Sequence, residues 1–253
     1  MNRHGIAAIY TFEMARARRT LWQSLITPVI TTTLYVIVFG SALGPRMSAM
    51  QGVKFGSFIV PGITLLAVFM NSIFNASFGI FFPKFTGTIY ELLSAPISSF
   101  EAVLAYVGAA VTKSLVLALV TLATATIFVP LHVDHPLLML IFLIAISTAF
   151  CMFGFVIGIW AKNFEQLQII PMLVITPLTF LGGAFYSVKV LSGPFRTLTL
   201  LNPVFYLISG FRWTFYSVAD VPVWSSVAVM AAIIGICLYA ITWIFRTGYR
   251  LKQ

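Results

Sequence analysis

Six stretches of this chain are long and apolar enough to cross a lipid bilayer, and they constrain its fold more than any other feature: residues 25–43, 58–82, 102–129, 137–160, 167–185 and 223–245. A hydrocarbon core takes about 20 apolar residues per helical span. In lipid every backbone N–H and C=O must be satisfied internally, which a helix achieves by itself. Only 8% of the 253 residues are charged, against about 25% in a soluble domain, so no polar shell can form around these segments. The expected fold is an all-α membrane protein with six transmembrane helices, without a soluble domain or an internal repeat.

The formal net charge is +9. The basic residues are scattered between apolar runs, a pattern that fits topology and anionic lipid rather than nucleic acid. Cys151 and Cys237 both fall within apolar segments and read as packed thiols. Basic residues precede the first apolar run, as in a signal peptide, but that run exceeds the 7–15 residues of a typical signal core and reads as a retained span. Within residues 1–24, Ile6, Tyr10, Met14, Ala17 and Leu21 recur at helical spacing while Arg16 and Arg19 lie on another face. This predicts a helix lying in the membrane interface; the alternative is a charged leader to span 1.

Breakers organise the rest. Gly44-Pro45 ends span 1, and Pro171, Pro177 and Gly182-Gly183 predict a kinked or broken span 5. Residues 186–222 contain an apolar stretch at 198–218 that also holds Asn202-Pro203, Gly210 and Arg212. A full span there would place a charge and a proline break in hydrocarbon, so two short helices dipping into the outer face are expected. With six spans and the N-terminus inside, nine basic residues are cytoplasmic (Arg3, Arg16, Arg18, Arg19, Lys84, Lys162, Arg246, Arg250, Lys252) and five are outside (Arg46, Lys54, Lys189, Arg196, Arg212). The excess places both termini in the cytoplasm.

Catalytic signatures are missing. The chain has no G-x-x-x-x-G-K-[ST], G-x-S-x-G or H-E-x-x-H. His132, Asp134 and His135 crowd the connection between spans 3 and 4; two imidazoles and a carboxylate can touch a metal, but so short a turn does not close a four-ligand site. A polar hairpin turn is expected there, and no metal site. Residues 83–101 form a long connection in which 88–95 can make a short amphipathic helix ended by Pro96. Tyr90, Leu92 and Leu93 supply apolar knobs and Glu91 a charge, giving either an interfacial loop helix or a docking helix for a cytosolic partner.

Polar residues within spans are candidates for a transport path. Lys113 is one; it can equally snorkel or pair with a carbonyl. Asn71 and Asn75, one turn apart, either line a path or bond between helices. Thr31, Thr32 and Thr33 can satisfy their own backbone, and Gly154-Phe-Val-Ile-Gly158 matches small-residue helix packing without identifying a partner.

Three stretches carry a family resemblance: Tyr90-Glu-Leu-Leu-Ser-Ala-Pro96, Thr176-Pro-Leu-Thr-Phe-Leu-Gly-Gly-Ala-Phe-Tyr186, and Leu201-Asn-Pro-Val-Phe-Tyr-Leu-Ile-Ser-Gly-Phe-Arg212. In order and spacing the chain resembles the ABC-2 permeases, the membrane subunits of type-2 ABC exporters, closest to the YadH- and NodJ-like branch. The resemblance implies a bacterial inner-membrane homodimer with two copies of a separate cytosolic ABC ATPase, which would hold the ATP and Mg. It implies ATPase coupling through Arg16, Arg19, Tyr90, Glu91, Leu92, Leu93 and Pro96. It also implies an outer-helix motif of Asn202, Pro203, Tyr206, Gly210 and Arg212 capping the path. The chain itself is then a transport subunit rather than an enzyme, moving an amphipathic, lipid-like, glycan or drug cargo. The competing classes are a secondary transporter, which usually carries intramembrane carboxylates, and a lipid-modifying membrane enzyme, for which His132, Asp134 and His135 are the candidate catalytic residues.

Overall fold

The computed structural model describes residues 2–250 apart from 43, 45, 46 and 48, and omits the side chains of 41, 42 and 93. The expected end of span 1 at Leu43, and Arg46 and Lys252 of the charge count, lie outside the described residues. Among the described residues six helical segments are long and apolar enough to span a bilayer: Leu21–Gly40, Phe55–Thr86, Ser99–Phe128, Pro136–Trp160, Phe164–Leu181 and Val223–Thr247. Each overlaps a predicted run, with ends moved by a few residues where caps fall outside the apolar stretch. An even number of spans puts both termini at one end of the bundle, here the proximal end; the other is the distal end.

Helix α1 (Arg3–Arg19) starts at Asn2, whose side chain accepts from Gly5 N, and breaks at Thr20 before α2 (Leu21–Tyr35). Helix α2 carries Pro28 and runs into a π-helical stretch, Val36–Ala42. Helix α3 (Phe55–Thr86) is closed by Gly87 at φ +81°, a left-handed conformation suited to glycine. The short α4 (Ile89–Ser94) follows, then α5 (Ser99–Phe128), opened by a capping box in which Ser98 Oγ accepts from Glu101 N and Glu101 accepts from Ser98 N. Pro136 opens α6 (Pro136–Trp160) at a first-turn position where its missing N–H is harmless.

Span 5 is broken as its prolines predict: α7 (Phe164–Ile170) passes through a π turn at Pro171–Ile175 into α8 (Thr176–Leu181). It ends at Gly182-Gly183, with Gly183 at φ +75°. The stretch at 198–218 is two helices, α9 (Pro194–Leu201) and α10 (Pro203–Tyr216), hinged at Asn202. Helix α11 (Val223–Thr247) closes the bundle.

Helix α3 is the axis, packed against α5, α6, α10 and the π stretches. Its closest neighbour is α6, and the reason is Gly154 and Gly158. A Cβ on Gly154 would stand 2.4 Å from Ile73 O, and one on Gly158 2.4 Å from Ser77 O, so these two glycines let the backbones touch. Above them Phe69 stacks on Phe150 at 4.2 Å. Burial falls outward: 72% of the apolar window of α3 is buried, against 11% for the first span and 22% each for the fifth and sixth. The peripheral helices therefore keep broad apolar faces, led by Trp22, Met172, Leu173, Trp224 and Tyr239.

Candidate functional site

Three groups of polar or aromatic side chains stand apart from ordinary apolar packing. The first is at the proximal end, where α1 lies along α5. Asn2 N donates to Glu101 Oε1 at 2.5 Å and Asn2 Nδ2 to Pro96 O at 3.2 Å. Gly5 abuts Ile97, whose Cδ1 would be 2.7 Å from a Cβ there. Further along, Tyr10 Oη and Thr112 Oγ1 are 2.9 Å apart. Glu13, only 2% exposed, takes both Lys113 Nζ at 3.0 Å and Arg16 Nη2 at 2.7 Å on its Oε2. The Arg16 guanidinium sits 5.0 Å from the Phe78 ring of α3.

The sequence reading assigned Arg16 to coupling and Lys113 to a path; the structure brings both to one carboxylate. Ile6, Tyr10, Met14 and Ala17 are half-buried on one side of α1, as the spacing predicts, but Leu21 falls in α2 and is exposed. Arg16 turns to the buried side rather than another face, and the most buried residue there is the acid Glu13. Arg19 is exposed in the last turn. In α4, Tyr90 and Glu91 are exposed, while Leu92 packs against the apolar cluster that includes Ile80, Val103 and Ile159. Leu93 belongs to α4, and its side chain lies outside the described residues. Pro96 is exposed and lends its carbonyl to Asn2.

The second group is a stripe on α3. Ala67, Asn71, Phe74, Asn75, Phe78 and Phe82 are partly or fully exposed on a helix otherwise largely buried. Phe74, Phe78 and Phe82 stack in sequence at 5.9 and 5.5 Å. Asn71 Nδ2 donates to Ala67 O at 2.9 Å and Asn75 Nδ2 to Asn71 O at 2.9 Å. Both amide nitrogens are thus used within the helix, and the side-chain oxygens remain as acceptors. Lys113, turned to Glu13 and α1, is not part of this stripe.

The third group is distal. Arg212, 2% exposed, pairs through Nη1 with Asp220 Oδ2 at 3.2 Å, donates from Nη2 to Gly183 O at 2.6 Å, and lies 3.8 Å from the Phe58 ring centroid. Asp220 Oδ1 also accepts from Gln51 Nε2 at 2.7 Å and from the Ser187 hydroxyl. Asn202 caps α10 through Val204 N at 3.0 Å and donates to Leu178 O at 2.5 Å, tying the hinge to α8. Pro203 opens α10, and Tyr206 Oη donates to Leu200 O at 2.9 Å across the hinge. Gly210 is seated against α6 and α11: a Cβ there would meet Ser226 Cβ at 2.6 Å and Phe142 Cε1 at 2.7 Å. The five residues of the outer-helix motif thus build one polar-braced cap across the distal end.

The His132–His135 turn braces that cap. Asp134 N and His135 N donate to Phe215 O and Thr214 O, both at 3.0 Å, satisfying carbonyls at the end of α10 that have no partner within the helix. His132 Nε2 reaches Asp134 Oδ1 at 3.2 Å, and the His135 ring stacks on Trp213 at 4.7 Å. Among the described residues no group of three His, Cys, Asp or Glu side chains is placed to hold a metal.

Sequence reasoning missed Asn2, Glu13, Gln51, Asp220 and the phenylalanine ladder. Three of these left a signal. The chain has only six acids, and a basic residue held in lipid needs one of them nearby, which makes Glu13 and Asp220 natural partners for Lys113 and Arg212. Phe74, Phe78 and Phe82 repeat at i, i+4, i+8. Asn2 and Gln51 carry no comparable mark.

Residues 4–216 match the family described as ABC-2 type transporter. The chain is 36% identical over 238 residues to the inner membrane transport permease YadH of Escherichia coli (strain K12), covering 94% of this chain and 93% of that protein. It is 25% identical over 193 residues to nodulation protein J of Neorhizobium galegae, covering 75% and 72%, and 26% identical over 182 residues to nodulation protein J of Rhizobium meliloti (strain 1021), covering 71% and 69%. With six bilayer-length helices and a profile match over most of its length, the chain belongs to the ABC-2 type transporter family and is a multi-pass membrane transport permease.

Proposed function

We propose that this permease is the membrane half of an ATP-driven exporter, working as a homodimer with two copies of a separate cytosolic ABC ATPase. The observation that carries the proposal is the proximal clamp. Helix α4 offers Tyr90 and Glu91 outward, and the segment that follows it is tied through Pro96 and Glu101 to Asn2, at the start of α1. A push on α4 therefore reaches α1 and α5 together, which is what a docking helix for a motor requires. The chain has no Walker sequence, so ATP and Mg are assigned to the partner ATPase.

An inner-membrane location is supported by the name of the YadH relative, and cytoplasmic termini by the excess of basic residues on the proximal side. Helices α1, α4 and the 83–101 connection then lie at the cytoplasmic face, and the α9–α10 cap at the outer one. The homodimer is supported by the lightly buried first and fifth spans, which flank the α3 stripe. Apolar faces of this size, interrupted by aligned Asn71 and Asn75, suit a second copy better than lipid alone. Rings alternating with amide oxygens along α3 match an amphipathic cargo, lipid-like or a glycan or drug, moving between subunits. An ion-coupled mechanism fares worse, because the buried acids Glu13 and Asp220 are each held by a cation of the same chain.

Mechanistically, closure of the ATPase pair on ATP drives α4 and α1 as a rigid lever, tilts one subunit against the other and opens the path beneath the cap. The test is co-purification with the ATPase and vanadate-sensitive ATP hydrolysis in the reconstituted pair. Glu91→Ala and Leu92→Ala are expected to leave insertion intact and to cut cargo-stimulated hydrolysis at least several-fold. Transport by the purified chain without an ATPase would overturn the proposal.

A further inference from the structure

We infer that the groove between the first turn of α5 and the last turns of α11 binds an anionic phospholipid, with its phosphate at Arg246 and an acyl chain running along α11. The inference rests on membrane embedding and not on the exporter mechanism or the dimer. The groove has a volume of about 360 Å³, within the range of ligand pockets, and its polarity is graded. At its proximal mouth stand Arg246 and the hydroxyls of Ser98 and Ser99; deeper in, the walls are Val103, Leu238 and Ile241. Leu238, Thr242 and Arg246 are spaced by four residues, so one face of α11 passes from apolar to cationic over about 12 Å. That is the profile of a phospholipid: a charged head at the interface and a chain pointing to the midplane.

Charge selects the head. Arg246 is exposed in the last turn of α11, and among the described residues no carboxylate forms an ion pair with it. The mouth also faces the N-terminus of a 30-residue helix, whose first N–H groups favour an anion. The nearby acid, Glu101, is engaged by the backbone N–H groups of Asn2 and Ser98. A zwitterionic lipid would fill the same trough but bring its own cation toward Arg246. An anionic head brings only the phosphate.

The test is native mass spectrometry of the full purified chain titrated with phosphatidylglycerol and with phosphatidylcholine of the same acyl length. Phosphatidylglycerol is expected to bind about fivefold more tightly, the order contributed by one basic side chain near an anionic partner. Arg246→Gln should erase that preference while leaving phosphatidylcholine binding unchanged. Leu238→Trp, which fills the trough, should weaken both lipids without lowering the melting temperature. Millimolar inorganic phosphate should not displace the lipid. Equal binding of the two lipids, an unchanged preference in Arg246→Gln, or full displacement by inorganic phosphate would overturn the inference. Should Arg246→Gln fail to accumulate, retention of phosphatidylglycerol in a folded Leu238→Trp would overturn it equally.

Discussion

Asp220 accepts hydrogen bonds from Arg212, Gln51 and Ser187, which belong to three different parts of the distal end. Removing one member of a buried ion pair leaves the other charged and desolvated, at roughly 3 kcal/mol or more. Asp220→Asn and Arg212→Ala should each lower thermal stability in detergent by that order, and a double replacement with apolar residues should lose less than the sum. Full additivity in a double-mutant cycle would show the pair to be uncoupled. This pair also marks where residue-level reading stops. The sequence shows that Arg212 is too costly for a bare span and that Asn202-Pro203 makes a hinge. It does not show that Gln51, 169 residues away from Asp220, completes the network, because local pattern carries no information about which distal loop folds over which.

Elements were more legible than partners. Helix starts, the break in span 5 and the paired short helices follow from prolines, glycines and caps, all local chemistry, and the observed helices overlap the predicted spans. The same locality explains why α1 was only partly foreseen: periodicity identified its half-buried side, while the acid in that side could not be assigned without α5. Packing between helices has its own signature in Gly154 and Gly158, where the α3 backbone fills the space of a Cβ. Gly154→Leu should prevent α3 and α6 from meeting and abolish recovery of monodisperse protein. The same change at Gly235, with nothing within 4 Å of its built Cβ, should be tolerated. Equal yields of the two variants, measured by fluorescence-detected size exclusion, would refute the packing role.

At the scale of the whole molecule, the bonds from Asn2, Tyr10 and Glu13 to the 96–101 turn and α5 make α1 and α5 one body. The first span, little buried overall, continues from α1 and packs on the same body along α5. A Tyr10→Cys/Thr112→Cys pair, cross-linked by a short reagent, should therefore leave ATP-driven transport within about twofold of the reduced protein. Complete inhibition would show that these helices separate during the cycle. The Glu13–Lys113 contact spans one hundred residues of sequence, and it has a consequence for biosynthesis. A ribosome delivers the acid long before its lysine, so α1 cannot complete this ion pair until the third hydrophobic helix has emerged. Until then its carboxylate has Arg16 of its own helix for a partner, and the last step in seating α1 waits on a segment from the middle of the sequence.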